Sequence, residues 1–380
     1  MELNSYFSDF LSEIRLPEEF VDECRNAHEI LRQRLKEDPQ LSKLIVSTFL
    51  QGSYKRDTII RPDGKSKADV DVVVVSKLDN NEYPPDKVFS IFTPFLDKYY
   101  KNKYEFQGRS IGIKLRYIDL DLVITAAPSE SQWGILQSPS MVNDNNLSGL
   151  SDWSLNKRWI PPDSRTIEYK NPTNDEWKSE PLLIPDRDRK IWERTHPIAQ
   201  IQWTRDKNKR CNGHFINVVK AVKWWYRNQK DTYKYPKGYL IEALVGFFCP
   251  DGINSVCEGF LLTMKQLVNG CKDIVSEGKI PFLADHAVPE RNVFSRITPE
   301  EFRKFYEKCI LAARVAQEAR DSTEIDQCAN KWRILFGDTF PEPPQNNNRG
   351  GGGPNKGDGP DKGGYTPRTG VTQIRDSRFA

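Results

Sequence analysis

The sequence predicts an α+β protein, a mixed β-sheet core with helices joined to a C-terminal lobe of helices. Three observations predict it. Residues 68–75, Ala-Asp-Val-Asp-Val-Val-Val-Val, alternate with the two-residue period of a strand. Residues 115–124, Leu-Arg-Tyr-Ile-Asp-Leu-Asp-Leu-Val-Ile, do so again. From about residue 213 onward the apolar positions recur with helical spacing.

Taken in order, residues 3–50 read as helix. Apolar positions recur at Phe7, Phe10, Leu11 and Ile14, and after Pro17 they resume through Phe20, Val21, Cys24, Ala27, Ile30 and Leu31. This helical lead-in delivers the chain to Gln51-Gly52-Ser53-Tyr54. Strands follow at about 69–76 and 111–126, with a helix near 85–101 between them. Residues 128–200 are irregular and rich in Pro, Ser, Asn, Asp and Trp, and a connection that long is functional or an insertion. Helices are expected at 213–228, 238–248, 255–277, 298–320 and 322–334. After Phe340 the chain turns Gly-, Pro- and Asn-rich and cannot bury enough apolar surface to offset its ordering entropy, so 341–380 is expected to be a disordered tail. The expected units are 1–200, 201–340 and 341–380.

Bulk properties exclude several classes. The chain has 380 residues, 37% of them hydrophobic, enough for two domains or one bilobal unit. A net charge of +3 is too small to announce a binder of long nucleic acid. The seven cysteines form no CxxC pair and fit a reducing compartment. Cys249, Cys257, Cys271 and His286 leave a metal site open. The N-terminus lacks a basic and apolar leader, and no apolar run approaches the ~18 residues of a membrane span, so a soluble cytoplasmic protein is expected.

The chemistry concentrates between Gln51 and Val75. Asp69 and Asp71, two apart on a strand, send both carboxylates to one face, and Val73 and Val75 continue that face as apolar. Paired carboxylates beneath a buried sheet suit hard divalent cations. Gly52 lets backbone approach a phosphate closely, and Ser53 adds a hydroxyl sixteen residues before Asp69. A third carboxylate comes from the second strand, where Asp119 and Asp121 share a face and either could serve. Nucleotidyl transfer needs this set, because two metal ions about 3.5–4 Å apart neutralise a triphosphate and orient an attacking hydroxyl. A pair of carboxylates on a solvated sheet face is the plainer alternative.

This pattern resembles the active site of the polymerase-β-like nucleotidyltransferases. The stretches Phe215–Tyr226, Tyr235–Leu244 and Asn330–Gly337 narrow the likeness to bacterial cGAS/DncV-like nucleotidyltransferases, relatives of oligoadenylate synthase and cyclic GMP-AMP synthase. The likeness covers about 40–340 and is strongest at 51–75. It implies one active site in a cleft between two lobes. It implies that Gln51, Gly52 and Ser53 hold the donor triphosphate, and that Asp69, Asp71 and Asp121 hold two Mg2+ or Mn2+ ions, the last helping to deprotonate the attacking hydroxyl. Lys220 and Lys223 lie on one helical stripe with Arg227 and are expected to contact donor phosphate, a solvated surface stripe being the alternative. Tyr239 is expected to stack on a nucleobase, or else to belong to the core.

The likeness further implies an enzyme that condenses NTPs, chiefly ATP, into a cyclic oligonucleotide messenger for antiphage defence, read by a downstream effector. Cyclic tri-adenylate is the expected product; a cyclic dinucleotide or linear oligoadenylate is the alternative. Addition to RNA 3′ ends fits poorly with the near-neutral charge. A non-catalytic nucleotide sensor or assembly subunit is the competing class. Through its tail the chain is expected to meet a HORMA-type regulator, or a ubiquitin-like conjugating enzyme acting at Ala380; an ordinary frayed terminus is the simpler alternative.

Overall fold

The computed structural model describes residues 1–64, 66–127, 181–229, 236 and 238–343. Among the described residues seven strands make one mixed sheet: β1 (Ile45–Gln51), β2 (Ala68–Ser76), β3 (Tyr104–Phe106), β4 (Ile111–Lys114), β5 (Ile118–Ala126), β6 (Leu182–Asp186) and β7 (Ile191–Thr195). The order is β1-β2-β5-β4-β3, with β6 pairing β5 and then β7. β2 and β5 run parallel, in a register that sets Asp69 beside Asp119 and Asp71 beside Asp121. The other pairings are antiparallel.

Both faces of this sheet are covered, which explains the near-continuous valines of β2. On one face Val70, Val72 and Val74 pack with Leu120, Leu122 and Ile124 beneath α2 (Glu18–Glu37), α5 (Pro85–Ile91) and α6 (Thr93–Tyr99). On the other, Val73, Val75 and Val123 pack with Val46, Phe49, Leu182, Ile184 and Ile198. The carboxylates of β2 therefore share a face whose far end is apolar and buried, as the alternation requires.

The helical lobe comprises α7 (Pro197–Arg210), α8 (Phe215–Arg227), α9 (Gly238–Phe248), α10 (Val256–Ser276), α11 (Pro299–Asp321) and α12 (Ile325–Phe336). Its core also takes in α1 (Asn4–Ile14), whose Phe7 meets Trp332 edge-on at 4.9 Å and whose Phe10 stacks on Phe336 at 4.4 Å. The first helix thus completes the hydrophobic core of the last ones. Helix α11 starts at a capping box, Thr298 and Glu301 each bonding the other's backbone N–H.

The structure differs from the sequence reading in four places. Residues 45–51 are a strand and not the end of a helix: after the short α3 (Leu41–Leu44), the run Ile-Val-Ser-Thr-Phe pairs with β2. The single helix expected near 85–101 breaks at Phe92, where Pro94 disfavours continuation. The segment 111–126 is a hairpin of two strands, β4 and β5, and β3 pairs with the first of them. Within the stretch expected to be irregular, 182–195 forms the β6–β7 hairpin and α7 begins at Pro197. The pattern of α7 was hidden because its inner face carries Lys207 and Asn208. The Lys207 amine donates to the Cys249 carbonyl at 2.6 Å and pairs with Asp251 at 2.6 Å. The rest of that irregular stretch, 128–180, and the tail beyond Pro343, including Ala380, lie outside the described residues.

Candidate active site

Four strands build the site from neighbouring positions. Gln51 ends β1 opposite Asp71, Asp71 stands beside Asp121, and Asp121 faces Gly112 of β4. Asp69 sits two residues before Asp71 on the same face. Oxygen atoms of Asp69, Asp71 and Asp121 all lie within 4.8 Å of one another, the only cluster of metal-holding geometry among the described residues. Asp119 shares the face but turns to Lys67, at 3.3 Å. Three carboxylates at this spacing form an all-oxygen donor set, which fits Mg2+ or Mn2+ and not a thiol-loving metal. Cys249, Cys257 and Cys271 are buried free thiols, and the His286 ring stacks on Trp203 at 3.5 Å. They join no such cluster.

The electrostatics express the same need. Burial pushes the Asp69 carboxyl well above the usual carboxylate range, helped by the charges of Asp71, Asp121 and Asp119. Asp71 is raised by burial and by Asp121, and held down by Arg56. The sheet gathers carboxylates whose mutual repulsion a bound cation would relieve.

Gly52 occupies a position that requires glycine. Its φ of +76° lies in the left-handed region, and a Cβ there would fall 1.7 Å from the Asp71 Oδ2. The backbone that opens the short helical turn α4 (Gly52–Lys55) therefore rests directly on a carboxylate of the cluster. The turn closes back on itself: the N–H groups of Thr58 and Ile59 donate to the Ser53 carbonyl at 2.9 and 3.1 Å, and that of Arg56 donates to the Gly52 carbonyl at 3.1 Å.

Lys220 and Lys223 are buried, 1% and 8% exposed, which removes the reading of a solvated stripe. Lys220 pairs with Asp57 at 3.0 Å, and Lys223 pairs with Glu242 at 2.6 Å while donating to the Thr58 carbonyl at 3.0 Å. Both amines thus end on groups of the protein itself, behind the Gly-Ser turn. Tyr239 is half-buried; its hydroxyl donates to Asp285 at 2.9 Å and accepts from Gln200 at 2.9 Å, and the Arg56 guanidinium lies 5.4 Å from its ring centre.

Sequence reasoning missed Arg56 and Glu242, which pair at 2.9 Å with side chains 5% and 8% exposed. Nothing marks Arg56 in the sequence. Glu242 did carry a signal: it is the one charge in Leu-Ile-Glu-Ala-Leu, the buried part of α9.

Comparison with known proteins agrees with this geometry. The model of the Second Messenger Oligonucleotide or Dinucleotide Synthetase domain matches residues 1–141. The cyclic AMP-AMP-GMP synthase of Enterobacter hormaechei is 43% identical over 364 residues, covering 93% of this chain and 96% of that protein. The cyclic AMP-AMP-AMP synthase of an Acinetobacter strain is 29% identical over 345 residues, covering 90% and 86%. The solved CdnC subunit of the Escherichia coli CdnC–HORMA complex superposes with a TM-score of 0.59 at 14% identity, over 89% of this chain and 98% of that one, which shows a shared fold.

Proposed function

Because the chain belongs to the cGAS/DncV-like nucleotidyltransferases, we propose that it condenses ATP and GTP into a cyclic trinucleotide at the Asp69–Asp71–Asp121 cluster. It is a nucleotidyltransferase and a cyclic oligonucleotide synthase. The observation that carries the site assignment is the close seating of Gly52 on Asp71, which brings a phosphate-sized turn against three convergent carboxylates.

In this reading Asp69, Asp71 and Asp121 would hold two divalent ions, which when bound would supply charge neutralisation on the triphosphate. Gln51, Gly52 and Ser53 line the donor phosphates. Lys220 and Lys223 serve the nucleotide through the segment 56–58 that their amines grip. Tyr239 stacks its ring on a base while its hydroxyl stays tied to Asp285. A ribose hydroxyl attacks the donor α-phosphorus: a P–O bond forms, the bond to the β-phosphate oxygen breaks, pyrophosphate leaves, and Asp121 takes the hydroxyl proton.

The 43% identity to a cyclic AMP-AMP-GMP synthase favours that product over cyclic tri-adenylate, the product of the 29% relative. The messenger's proposed role is antiphage signalling through an effector. The solved complex of the E. coli neighbour supports a HORMA-type regulator as a partner. Among the described residues no helix is long and apolar enough to cross a membrane.

The test is product analysis. With ATP, GTP and Mg2+, followed by phosphatase, mass spectrometry should find a cyclic product of two AMP and one GMP. Equal yield of cyclic tri-adenylate from ATP alone would return the third position to adenine. Product from the Asp69→Asn/Asp71→Asn double variant would refute the metal site.

A further inference from the structure

Three successive residues behind the Gly-Ser turn are each gripped by a charged group of the helical lobe. Arg56 donates through Nε to Glu242 Oε2 at 2.9 Å. Asp57, held in the left-handed region at φ 57°, accepts from Lys220 at 3.0 Å. The Thr58 carbonyl accepts from Lys223 at 3.0 Å. Glu242 is the hub, because its second oxygen accepts from Lys223 at 2.6 Å. One buried carboxylate thus fixes both Arg56 and Lys223.

Each grip leads back to the site through a backbone hydrogen bond. Arg56 N–H donates to Gly52 O, and Gly52 rests on Asp71. Thr58 N–H donates to Ser53 O. A core built only for stability would fill this space with apolar groups, since a buried ion pair seldom stabilises more than its hydrophobic replacement. What the charges add is direction: a bidentate carboxylate, a lysine on a carbonyl and a lysine on a strained aspartate define the path of residues 56–58 more narrowly than apolar contact does.

We propose that Glu242 is a positioning residue for nucleotidyl transfer, holding the Gly52–Ser53 turn against the carboxylate cluster through Arg56 and Lys223. Both of its oxygens are taken by the chain itself, Oε2 by Arg56 and Oε1 by Lys223. The proposal rests on the reading of 51–53 as the donor turn.

The experiment compares Glu242→Gln, Glu242→Asp and the double variant Glu242→Gln/Lys223→Met with wild type, full-length. Three quantities are measured: kcat and KM for product formation, affinity for a non-hydrolysable ATP analogue with Mg2+, and thermal unfolding. Glu242→Gln leaves two buried cations facing each other and should lose both stability and about 10- to 100-fold in kcat/KM and analogue affinity. Glu242→Asp should recover part of each. The double variant removes one cation with the carboxylate, so its unfolding temperature should return toward wild type while the kinetic and binding defects persist. Recovery of kcat/KM together with stability would overturn the proposal, leaving Glu242 as a mere counter-charge; so would a folded Glu242→Gln with wild-type kcat, KM and affinity. If wild type binds the analogue but yields no cyclic product, the synthase reading fails, and the affinity series still decides the role of Glu242.

Discussion

Two groups of charge meet near the Gly-Ser turn, and the fold treats them in opposite ways. On the sheet, Asp69, Asp71 and Asp121 crowd together, like charge against like charge, and burial and mutual repulsion raise the first two. Behind the turn, Glu242 sits between Arg56 and Lys223 and is driven down to about 2, because those cations outweigh its burial. The cluster opens to solvent at Asp69, whereas Glu242 is buried. One set has the spacing to take a cation from solution, and the other has its cations supplied by the chain. The difference separates a reactive site from its scaffold: like charges are left facing each other only where a ligand is to relieve them.

The sharpest way to break that contrast is to neutralise the sheet. Asp69→Asn/Asp71→Asn should cost about 10³-fold or more in turnover, since several kcal/mol of charge stabilisation leave with the metal. Yet the metal-free variant should be the more stable protein at neutral pH. The sign follows from linkage. Asp69 has a folded value raised from 3.8 to about 8, so the folded state holds its proton more tightly than the unfolded chain does. Metal-free wild type therefore loses stability as pH rises through that window. Chelated wild type should melt at a falling temperature from pH 5 to 8, and the double variant should flatten this trend. A parallel trend in both would remove the carboxylate repulsion from the account.

How much of this was legible in the sequence follows from the range of each interaction. The carboxylates on β2 and β5 were legible because a strand's period of two assigns their face from neighbouring residues alone. Gly52 was legible as a turn, but its need to be glycine depends on Asp71 lying against it. β1 escaped because its β-branched run follows directly on helical periodicity, and only pairing with β2 decides it. The Arg56–Glu242 pair, 186 residues apart in sequence, has no local signature at all. Lys220 and Lys223 were seen as a stripe aimed at something; the sequence could not say that their targets are Asp57 and Glu242.

A second, smaller perturbation moves the boundary between the two groups without changing any charge. Gly52→Ala places a methyl where Asp71 Oδ2 now lies and forces a left-handed φ on an ordinary residue. The turn and the carboxylate must separate by an ångström or more. Misplacement of that size is worth about 10²-fold in turnover. Because the core strands are untouched, the unfolding temperature should shift little by comparison, and affinity for divalent ions should weaken along with the rate. Full activity in Gly52→Ala would mean that Asp71 is not held by the turn.

The smallest effect separates the two aspartates of β5. Asp119 and Asp121 point to the same face, and both stand beside a carboxylate of β2. Only Asp121 joins the cluster, whereas Asp119 is compensated by Lys67, whose amine also donates to the Leu115 carbonyl at 2.5 Å. Asp119 and Lys67 are each more than a third exposed, and an exposed pair of this kind contributes about 0–1 kcal/mol. Asp119→Asn should therefore keep turnover within a few-fold of wild type, while Asp121→Asn falls with the metal-ligand variants. If the two fell equally, the aspartate paired with Lys67 and the aspartate of the cluster would be doing the same work, and the distinction between scaffold charge and reactive charge would not hold on this strand.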